Sequence, residues 1–392
     1  MGIEVRPVAD VSVLEALGRV LAQAFAYEAP LSATWFERAG TDRIRVAHDG
    51  RTGEVVGGLI TIPMGQAFGG RFVPMTGLAG VGVRADRRRQ GVASELLRQV
   101  LLELWEANCP LSTLYASNHP LYRGAGYEQA GGHWRGTMSP RDIDVSERQV
   151  GSVEQIEEAH RAEVEALSRV HALSRPGHVD RGPYVWNRIW RPLHGGPVHG
   201  VLMRDEAGAL EAYVLYSFQR GDDWQTMTVV DAVSVTHRGW IRIWSHLRDV
   251  STMVREIRLT TAPSDPLYLL LRHPGMRMEL VEPFMMRVVD AKAALEARGY
   301  AKGQPERLVL RILDPLLGDQ SLTVDVEGGR ARVRKGGDPT ARIHIRGLAA
   351  MYAGYLSPYE AASIGLVEAG TRSLGALQAL FAGPTPWMRD FF

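Results

Sequence analysis

A predicted strand that runs directly into an arginine-rich loop and a long helix most constrains this 392-residue chain. The strand covers residues 73–83, and the helix covers residues 91–108 with its apolar side chains on one face. Between them, residues 88–93 fit the spacing R-x-x-G-x-[GA]. Because a helix start offers unpaired N–H groups and the positive end of a dipole, this junction predicts a phosphate site. A charged turn that caps an ordinary helix is the alternative, since the motif occurs often by chance.

Composition and charge narrow the class of protein. The chain has 45 basic and 44 acidic residues, and its net charge of +1 gives no field for holding nucleic acid or an anionic membrane. Cys109 is the single cysteine, which excludes an internal disulfide and cysteine-rich metal sites, so no metal is predicted. No apolar run reaches the roughly 20 residues that span a bilayer, and the start lacks a signal-peptide core. We therefore expect a cytoplasmic protein.

Alternating strand and helix patterns divide the chain into three predicted domains. Residues 1–145 and 146–285 each predict a mixed sheet with covering helices, and their similar order suggests a divergent duplication. A helix over residues 153–173 opens the second domain. Residues 286–392 predict an α+β module in which Asp290 caps the first helix.

A second motif follows about thirty residues after the arginine-rich loop. It covers residues 121–128 and comes after a predicted buried strand at residues 111–116. Together the two motifs resemble the signatures of the GCN5-related N-acetyltransferase (GNAT) superfamily. In that superfamily the first motif binds the pyrophosphate of acetyl-CoA, and the tyrosine at the position of Tyr122 faces the CoA sulfur.

The resemblance narrows to the enhanced intracellular survival (Eis) family of GNAT enzymes. Residues 115–127, residues 293–300 and the aromatic C-terminus carry it, and it extends over nearly the whole chain. Members of this family have a GNAT domain, a degenerate second GNAT domain and a sterol-carrier-protein-like C-terminal domain, and they assemble as hexamers. The resemblance therefore implies a mixed α/β, α+β fold with tandem GNAT-like domains, and a homohexamer.

The same resemblance implies roles for individual residues. Acetyl-CoA is the implied co-substrate, Tyr122 the general acid for the departing sulfur, and the C-terminal carboxylate of Phe392 the general base. Backbone N–H groups of the strand before the loop would hold the thioester oxygen. The implied cofactor-binding residues are Val81, Val83, Arg88, Arg89, Gly91, Val92, Ala93 and Ser117.

The second domain departs from this pattern at its own strand-to-helix junction. Residues 233–242 contain one glycine. The bulky residues Trp240 and Ile241 follow it, at positions where small residues would let a pyrophosphate approach the backbone. We therefore expect a GNAT-shaped domain that does not bind CoA.

The acceptor site also departs from the family pattern. Aminoglycoside-modifying members, which cause antibiotic resistance, have an acidic penultimate residue, where this chain has Phe391. A polycationic sugar needs carboxylates to replace its hydration, and the neighbouring acids are Glu28 and Asp390. The expected acceptor is a primary amine of a small molecule, either aminoglycoside-like or less charged. The predicted pocket residues are Tyr27, Glu28, Trp35, Phe36 and Phe391, with core packing as the alternative for Trp35 and Phe36.

Two other functions stay open at this point. One is a non-catalytic acyl-CoA or lipid-binding protein, in which the C-terminal domain does the binding. The other is a protein lysine acetyltransferase, which requires an open, acidic cleft. Titration of the thiol released from acetyl-CoA in the presence of a panel of amines distinguishes these functions.

Overall fold

Two β-sheets organise the chain, whose computed structural model describes residues 2–27, 29–145, 150–192, 196–273, 275–301 and 307–392. The strands of the large sheet are β1 (Ile3–Pro7), β2 (Ile44–Asp49), β3 (Val55–Phe68), β4 (Arg71–Val83), β5 (Leu111–Tyr115), β6 (Glu128–Met138), β7 (Ser152–Gln155), β8 (Val179–Asp180), β9 (Val198–Arg204), β10 (Leu210–Arg220), β11 (Gln225–Ser234), β12 (Val254–Thr261) and β13 (Arg277–Val288). The strands of the small sheet are β14 (Leu308–Leu313), β15 (Gln320–Glu327), β16 (Arg330–Lys335), β17 (Ala341–His344) and β18 (Val367–Ala369).

Helices cover the faces of both sheets. They are α1 (Val11–Phe25), α2 (Ala29–Ala39), α3 (Val92–Glu106), α4 (His119–Gly124), α5 (Arg161–Leu173), α6 (Pro183–Trp190), α7 (His237–Asp249), α8 (Pro266–Leu269), α9 (Ala291–Ala297), α10 (Ile345–Ala353), α11 (Pro358–Ser363) and α12 (Thr371–Phe381). Among the described residues, no helix has the length and apolar character needed to cross a membrane. Helix α3 buries its apolar stripe against the sheet, with Leu96, Leu97 and Leu101 fully buried, as its 3.6-residue period predicts.

The first two predicted domains exchange their last strands, β6 and β13. The large sheet has the order β1-β2-β3-β4-β5-β13-β6-β12-β11-β10-β9-β7, and β8 pairs with β3. Strand β13 lies between β5 and β6, antiparallel to both, and β6 in turn pairs with β12. Parallel pairs β4–β5 and β11–β12 lie on either side of this centre. The matching order supports an internal duplication, and the exchange makes the two units one continuous sheet.

Two sequence predictions differ from the observed elements. The predicted helix over residues 153–173 is wrong at its start, because Ser152–Gln155 pairs with β9 as an edge strand and the helix begins at Arg161. The predicted domain boundary at residue 285 falls inside β13, which continues to Val288 opposite Leu111. Both differences involve strands whose pairing partners lie far away in the sequence.

The C-terminal module is attached to the sheet through β13. Its own sheet has the order β16-β15-β14-β17-β18, and Asp290 caps α9 by accepting from Ala293 N, as predicted. Arg287 of β13 is fully buried and donates to Asp314 Oδ2 at 2.6 Å and to Ala125 O at 3.0 Å. One guanidinium thus joins three segments that are distant in sequence.

The glycine of the second motif makes room for this arginine. Gly126 has a φ of +87°, and a Cβ atom added there would lie 2.7 Å from Arg287 Nε. Any side chain at this position would be strained and would displace the guanidinium. Part of the motif therefore serves the packing of Arg287 as well as the turn after α4.

Replacing Asp314 tests whether this buried ion pair holds the C-terminal module in place. Asp314→Asn leaves the Arg287 guanidinium buried without its carboxylate, and we expect the free energy of unfolding to fall by about 3–5 kcal/mol. The matched control is Asp325→Asn, because Asp325 pairs with the largely exposed Arg307 and Arg334. Surface pairs of that kind contribute little. Equal unfolding midpoints for the two variants in urea would show that Arg287–Asp314 is not an anchor.

Candidate functional site

A cleft opens where two parallel strands of the first unit separate. The pairing between β4 and β5 ends at Gly77 opposite Thr113, but β4 continues to Val83. The register between β3 and β4 shifts near Gly80, which has a φ of +59°, so a β-bulge turns β4 further from its neighbour. The edge of β4 that faces β5 therefore carries backbone groups free of strand pairing.

The cleft has a volume of about 610 Å³ and extends from the strand edge to α3 and α4. All eight predicted cofactor-binding residues line it, and so does Tyr122. The lining comprises Ala24, Phe25, Val81, Gly82, Val83, Arg87, Arg88, Arg89, Gly91, Val92, Ala93, Ser94, Ser117, Asn118, Leu121 and Tyr122. The structure thus brings the two sequence motifs together around one opening.

The arginines of the loop divide into paired and unpaired groups. Arg84 pairs with Glu54 at 3.2 Å, and Arg87 pairs with Asp49 at 3.0 Å. Residues Arg88 and Arg89 make no ion pair with any residue that the structure describes, and both line the cleft. Since the other two arginines are neutralised by acids, the net positive charge of the loop belongs to this pair.

The N-terminus of α3 faces the same cleft. Gly91 is the N-cap with a φ of +84°, and no side chain caps the helix. A Cβ atom at Gly91 would meet nothing within 4 Å, so the space in front of the first turn is open. The first-turn N–H groups and the helix dipole can therefore bind an anion such as a pyrophosphate.

The corresponding junction of the second unit is closed by its own side chains. Thr236 caps α7 by accepting from Gly239 N at 2.9 Å, and it donates to Glu211 at 2.9 Å. Arg242 is fully buried and pairs with Glu211 at 2.6 Å, while Trp240 is 5% exposed. No open helix terminus comparable to that of α3 is left here among the described residues, which supports the expectation that this unit lacks a CoA site.

Tyr122 lies on the short helix α4 beneath the cleft. Asn118 caps α4 by accepting from Leu121 N, and the Tyr122 ring packs against Tyr127 with ring centroids 6.0 Å apart. Burial, with the negative charge of Glu282, raises the pKa of Tyr122 to about 12. The phenol therefore stays protonated near neutral pH and can act as a hydrogen-bond donor towards the cleft.

The C-terminal tail, residues 387–392, lies across the end of the first sheet half. Met388 N donates to Gly132 O on β6 at 2.9 Å, and the Tyr115 hydroxyl donates to Asp390 O at 2.7 Å. Phe391 stacks on Tyr115 with centroids 4.5 Å apart. Backbone pairing and aromatic stacking thus hold the tail in an extended path on the sheet.

The last residue lies at the point where β4 and β5 separate. Phe392 is 5% exposed, and its ring packs so closely on Gly77 that a Cβ there would lie 2.6 Å from the ring. The Tyr115 ring of β5 packs against the Phe392 ring with centroids 5.9 Å apart, and Met64 of β3 lies beside the same glycine. The Phe392 side chain is therefore buried and held where the two strands separate.

A buried ion-pair network ties the tail to the second unit. Arg181 contacts Asp231 at 2.6 Å and Asp390 at 2.9 Å, and Arg389 contacts Asp231 at 2.8 Å. Although burial alone would raise it, the two arginines hold the pKa of Asp231 below its usual range. Asp390, one of the two acids considered for substrate binding, is thus engaged by Arg181.

The predicted acceptor residues fall into separate places. Tyr27 and Trp35 form an aromatic cluster with Phe25, with centroids 5.9–6.2 Å apart, and Trp35 lies beside Gly80 of the bulge. Phe36 is not in this cluster; it packs in the core and lines a groove between α1 and α2. Phe391 lies on the tail. Glu28 is outside the described residues.

Sequence reasoning missed the residues that hold the tail. Arg181 and Asp231 are isolated charges in the sequence, with nothing to show that they meet residues 389–390. Phe25, at the end of α1, lines the cleft and is not among the residues predicted from the sequence. The aromatic chain end was the one signal that pointed to a buried tail.

Comparisons with known proteins agree with this geometry. The acetyltransferase (GNAT) domain family matches residues 4–130, a second acetyltransferase (GNAT) domain family matches residues 177–288, and the sterol carrier protein domain family matches residues 291–389. N-acetyltransferase Eis of Mycobacterium bovis is 27% identical over 328 residues, which cover 80% of this chain and 77% of the relative. An uncharacterized N-acetyltransferase of Streptomyces avermitilis is 26% identical and covers 100% of this chain and 99% of its own.

Solved structures share the whole architecture. A GCN5-related N-acetyltransferase from Anabaena variabilis has a TM-score of 0.94 at 29% identity, with 100% of both chains covered. The fold also matches Eis1 from Mycobacterium abscessus, with a TM-score of 0.82 at 23% identity over 99% of this chain and 100% of that one. Two GNAT domains followed by a sterol carrier protein domain make this chain an acetyltransferase of the GNAT superfamily. The resemblance to the Eis proteins that the sequence motifs predicted is confirmed by the relative from Mycobacterium bovis.

Replacing Asp231 tests the anchoring of the tail. Asp231→Asn leaves Arg389 and one side of Arg181 without a carboxylate in a buried site, and we expect a loss of about 3–5 kcal/mol of unfolding free energy at pH 7. Because folding lowers the pKa of Asp231, its stabilisation is complete above the unfolded pKa of about 3.9 and is lost as the pH falls below it. The difference between wild type and variant should therefore shrink in acid.

Urea unfolding at neutral and acidic pH measures both effects. The matched control is Asp180→Asn, since Asp180 pairs with the exposed Arg169 next to the same network. We expect the control to unfold like the wild type. Identical stability of Asp231→Asn and Asp180→Asn at pH 7 would rule out the network as the anchor.

Proposed function

We propose that the first GNAT unit transfers the acetyl group of acetyl-CoA directly to a primary amine of a small molecule. One arrangement supports the proposal: the open N-terminus of α3 and Tyr122 line the cleft, and the ring of Phe392 packs on Gly77, where the pairing of β4 with β5 ends. GNAT acetyltransferases use acetyl-CoA, and the cleft offers the donors that its phosphates require.

The cofactor would lie along the cleft with its phosphates at the helix. The N–H groups of Val92 and Ala93 and the unpaired charges of Arg88 and Arg89 would hold the pyrophosphate. The free edge of β4 near Val81 and Val83 would bind the arm that carries the thioester, with Ser117 on the far side. A backbone N–H of residues 78–83 would hold the thioester oxygen as negative charge develops on it.

Two different groups would serve as the proton acceptor for the amine and as the hydrogen-bond donor to the leaving sulfur. The amine attacks the acetyl carbonyl, its proton passes to the Phe392 carboxylate, and the thiolate leaves towards Tyr122. At a pKa of about 12, complete proton transfer from Tyr122 to a thiolate of pKa about 8.5 is uphill by roughly 5 kcal/mol. Tyr122 would therefore act mainly through a hydrogen bond that stabilises the leaving sulfur.

The acceptor proposed here carries less charge than an aminoglycoside. Of the acids considered from the sequence, Asp390 is engaged by Arg181, and the penultimate position is Phe391. Apart from the terminal carboxylate itself, the tail would therefore present aromatic side chains, and no free acidic side chain, towards the acceptor. Such a surface favours an amine with an apolar body, because a polycation would lose hydration without compensation.

The proposal that the chain forms a homohexamer rests on the family resemblance alone. A homohexamer predicts a mass of six times the 43.2 kDa of one chain in sedimentation equilibrium. A monomer at micromolar concentration would refute it.

Variants of Tyr122 and of the chain end test the chemistry. Tyr122→Phe removes the donor to sulfur and should lower kcat by about 10²-fold or more, with acetyl-CoA affinity little changed. Deleting Phe392 moves the terminal carboxylate back by about 3.5 Å and should cost about 10²-fold in rate. Phe392→Leu is the matched control, because it keeps the carboxylate in register and should retain more activity than the deletion. Thiol release with an amine panel measures all three; full activity of the deletion would make the carboxylate structural.

A further inference from the structure

We propose that Glu282 binds the protonated amine of the acceptor at the opening, which makes the preferred acceptor a singly charged amine with an aromatic or apolar body. This inference rests on the proposed acetyl transfer and names its acceptor class. Glu282 would hold the ammonium group near the terminal carboxylate of Phe392. That carboxylate accepts the proton, and the neutral amine then attacks.

The position of Glu282 follows from strand pairing. On β13, Phe284 lies opposite Tyr115 of β5, and Glu282 lies opposite His133 of β6. Side chains two residues apart on a strand share a face, and directly paired residues do as well. Glu282 therefore lies on the same face as Tyr115 and His133.

This face is the one that carries the tail. His133 Nδ1 bonds to Met388 O at 3.0 Å, and Phe391 stacks on Tyr115. Strand β5 ends at Tyr115, and Ser117, two residues further along the chain, lines the cofactor cleft. Glu282 thus stands between the cofactor cleft on one side and the C-terminal tail on the other.

The absence of a described partner for this half-buried carboxylate points to a cationic ligand. Glu282 is half-buried, yet within the described ranges it makes no hydrogen bond or ion pair. Other buried acids of this chain, such as Asp231 and Asp314, are paired with arginine. Burial raises the pKa of Glu282, which the nearby His119 opposes, and its charge contributes to the raised pKa of Tyr122 after burial. An incoming ammonium group would supply the missing partner.

The neighbouring aromatic surface defines the rest of the acceptor. Phe391 is 46% exposed and forms a flat wall with Tyr115 beside the carboxylate. One carboxylate compensates one positive charge, so further amines on a polycation would be desolvated without a partner. A ring attached to a single alkylamine satisfies both features, since the ring can stack and the ammonium can pair.

Two acceptors of similar shape and different charge test the proposal. Benzylamine is protonated at neutral pH, whereas aniline is neutral. Glu282→Gln should raise KM for benzylamine by about 10- to 100-fold, the usual range for a hydrogen bond to a charged group, with kcat nearly unchanged. Turnover of aniline and the affinity for acetyl-CoA should stay the same. Glu279→Gln, an exposed position on the same strand, is the matched control and should behave like the wild type.

Calorimetric binding of benzylamine to the protein loaded with CoA separates this inference from the proposed function. Binding that Glu282→Gln weakens, with no turnover by the wild type, supports the ammonium site and refutes acetyl transfer to amines. Turnover that is unchanged in Glu282→Gln, or equally lowered in kcat for both acceptors, overturns the ammonium site and leaves acetyl transfer standing. If the wild type shows no turnover and no binding that depends on Glu282, both the ammonium site and the proposed acetyl transfer are overturned.

Discussion

The pairing of β13 with β5 on one side and β6 on the other is the constraint on which the rest of the structure depends. It joins two GNAT units into one sheet, and it places Arg287 where it can anchor the C-terminal module through Asp314. The same strand brings Glu282 to the tail face of the sheet. The exchanged strand therefore links folding of the scaffold to assembly of the site, because residues from all three parts of the chain meet around it.

The two GNAT units show how one architecture can keep or lose an anion site. In the first unit the N-cap is Gly91, and the first turn of α3 is open to the cleft. In the second unit Thr236 caps α7, and the buried Arg242–Glu211 pair packs beneath it. In the second unit the Thr236 hydroxyl accepts from one of the first-turn N–H groups, that of Gly239, whereas no side chain caps α3 in the first unit. The two units thus share a fold and differ in the chemistry of this helix end.

Much of the cofactor side could be predicted from the sequence because it is local. The residues from Val81 to Ala93 are contiguous, and strand, loop and helix start each have their own signal. The surroundings of the C-terminal tail could not be predicted, since β13, β6 and the tail pair across more than a hundred residues. Phe36 illustrates the limit: its aromatic character fits a pocket or a core, and the structure buries it in the core while it also borders a groove between α1 and α2.

The central claim is that one cofactor site exists per chain, at the open end of α3. Calorimetric titration with acetyl-CoA tests it most directly, using the wild type and a variant with Arg88→Glu and Arg89→Glu. The account predicts one site per chain for the wild type and a large loss of affinity for the double variant, because the loop's two unpaired charges would be reversed. Two sites per chain, or wild-type affinity in the double variant, would contradict it.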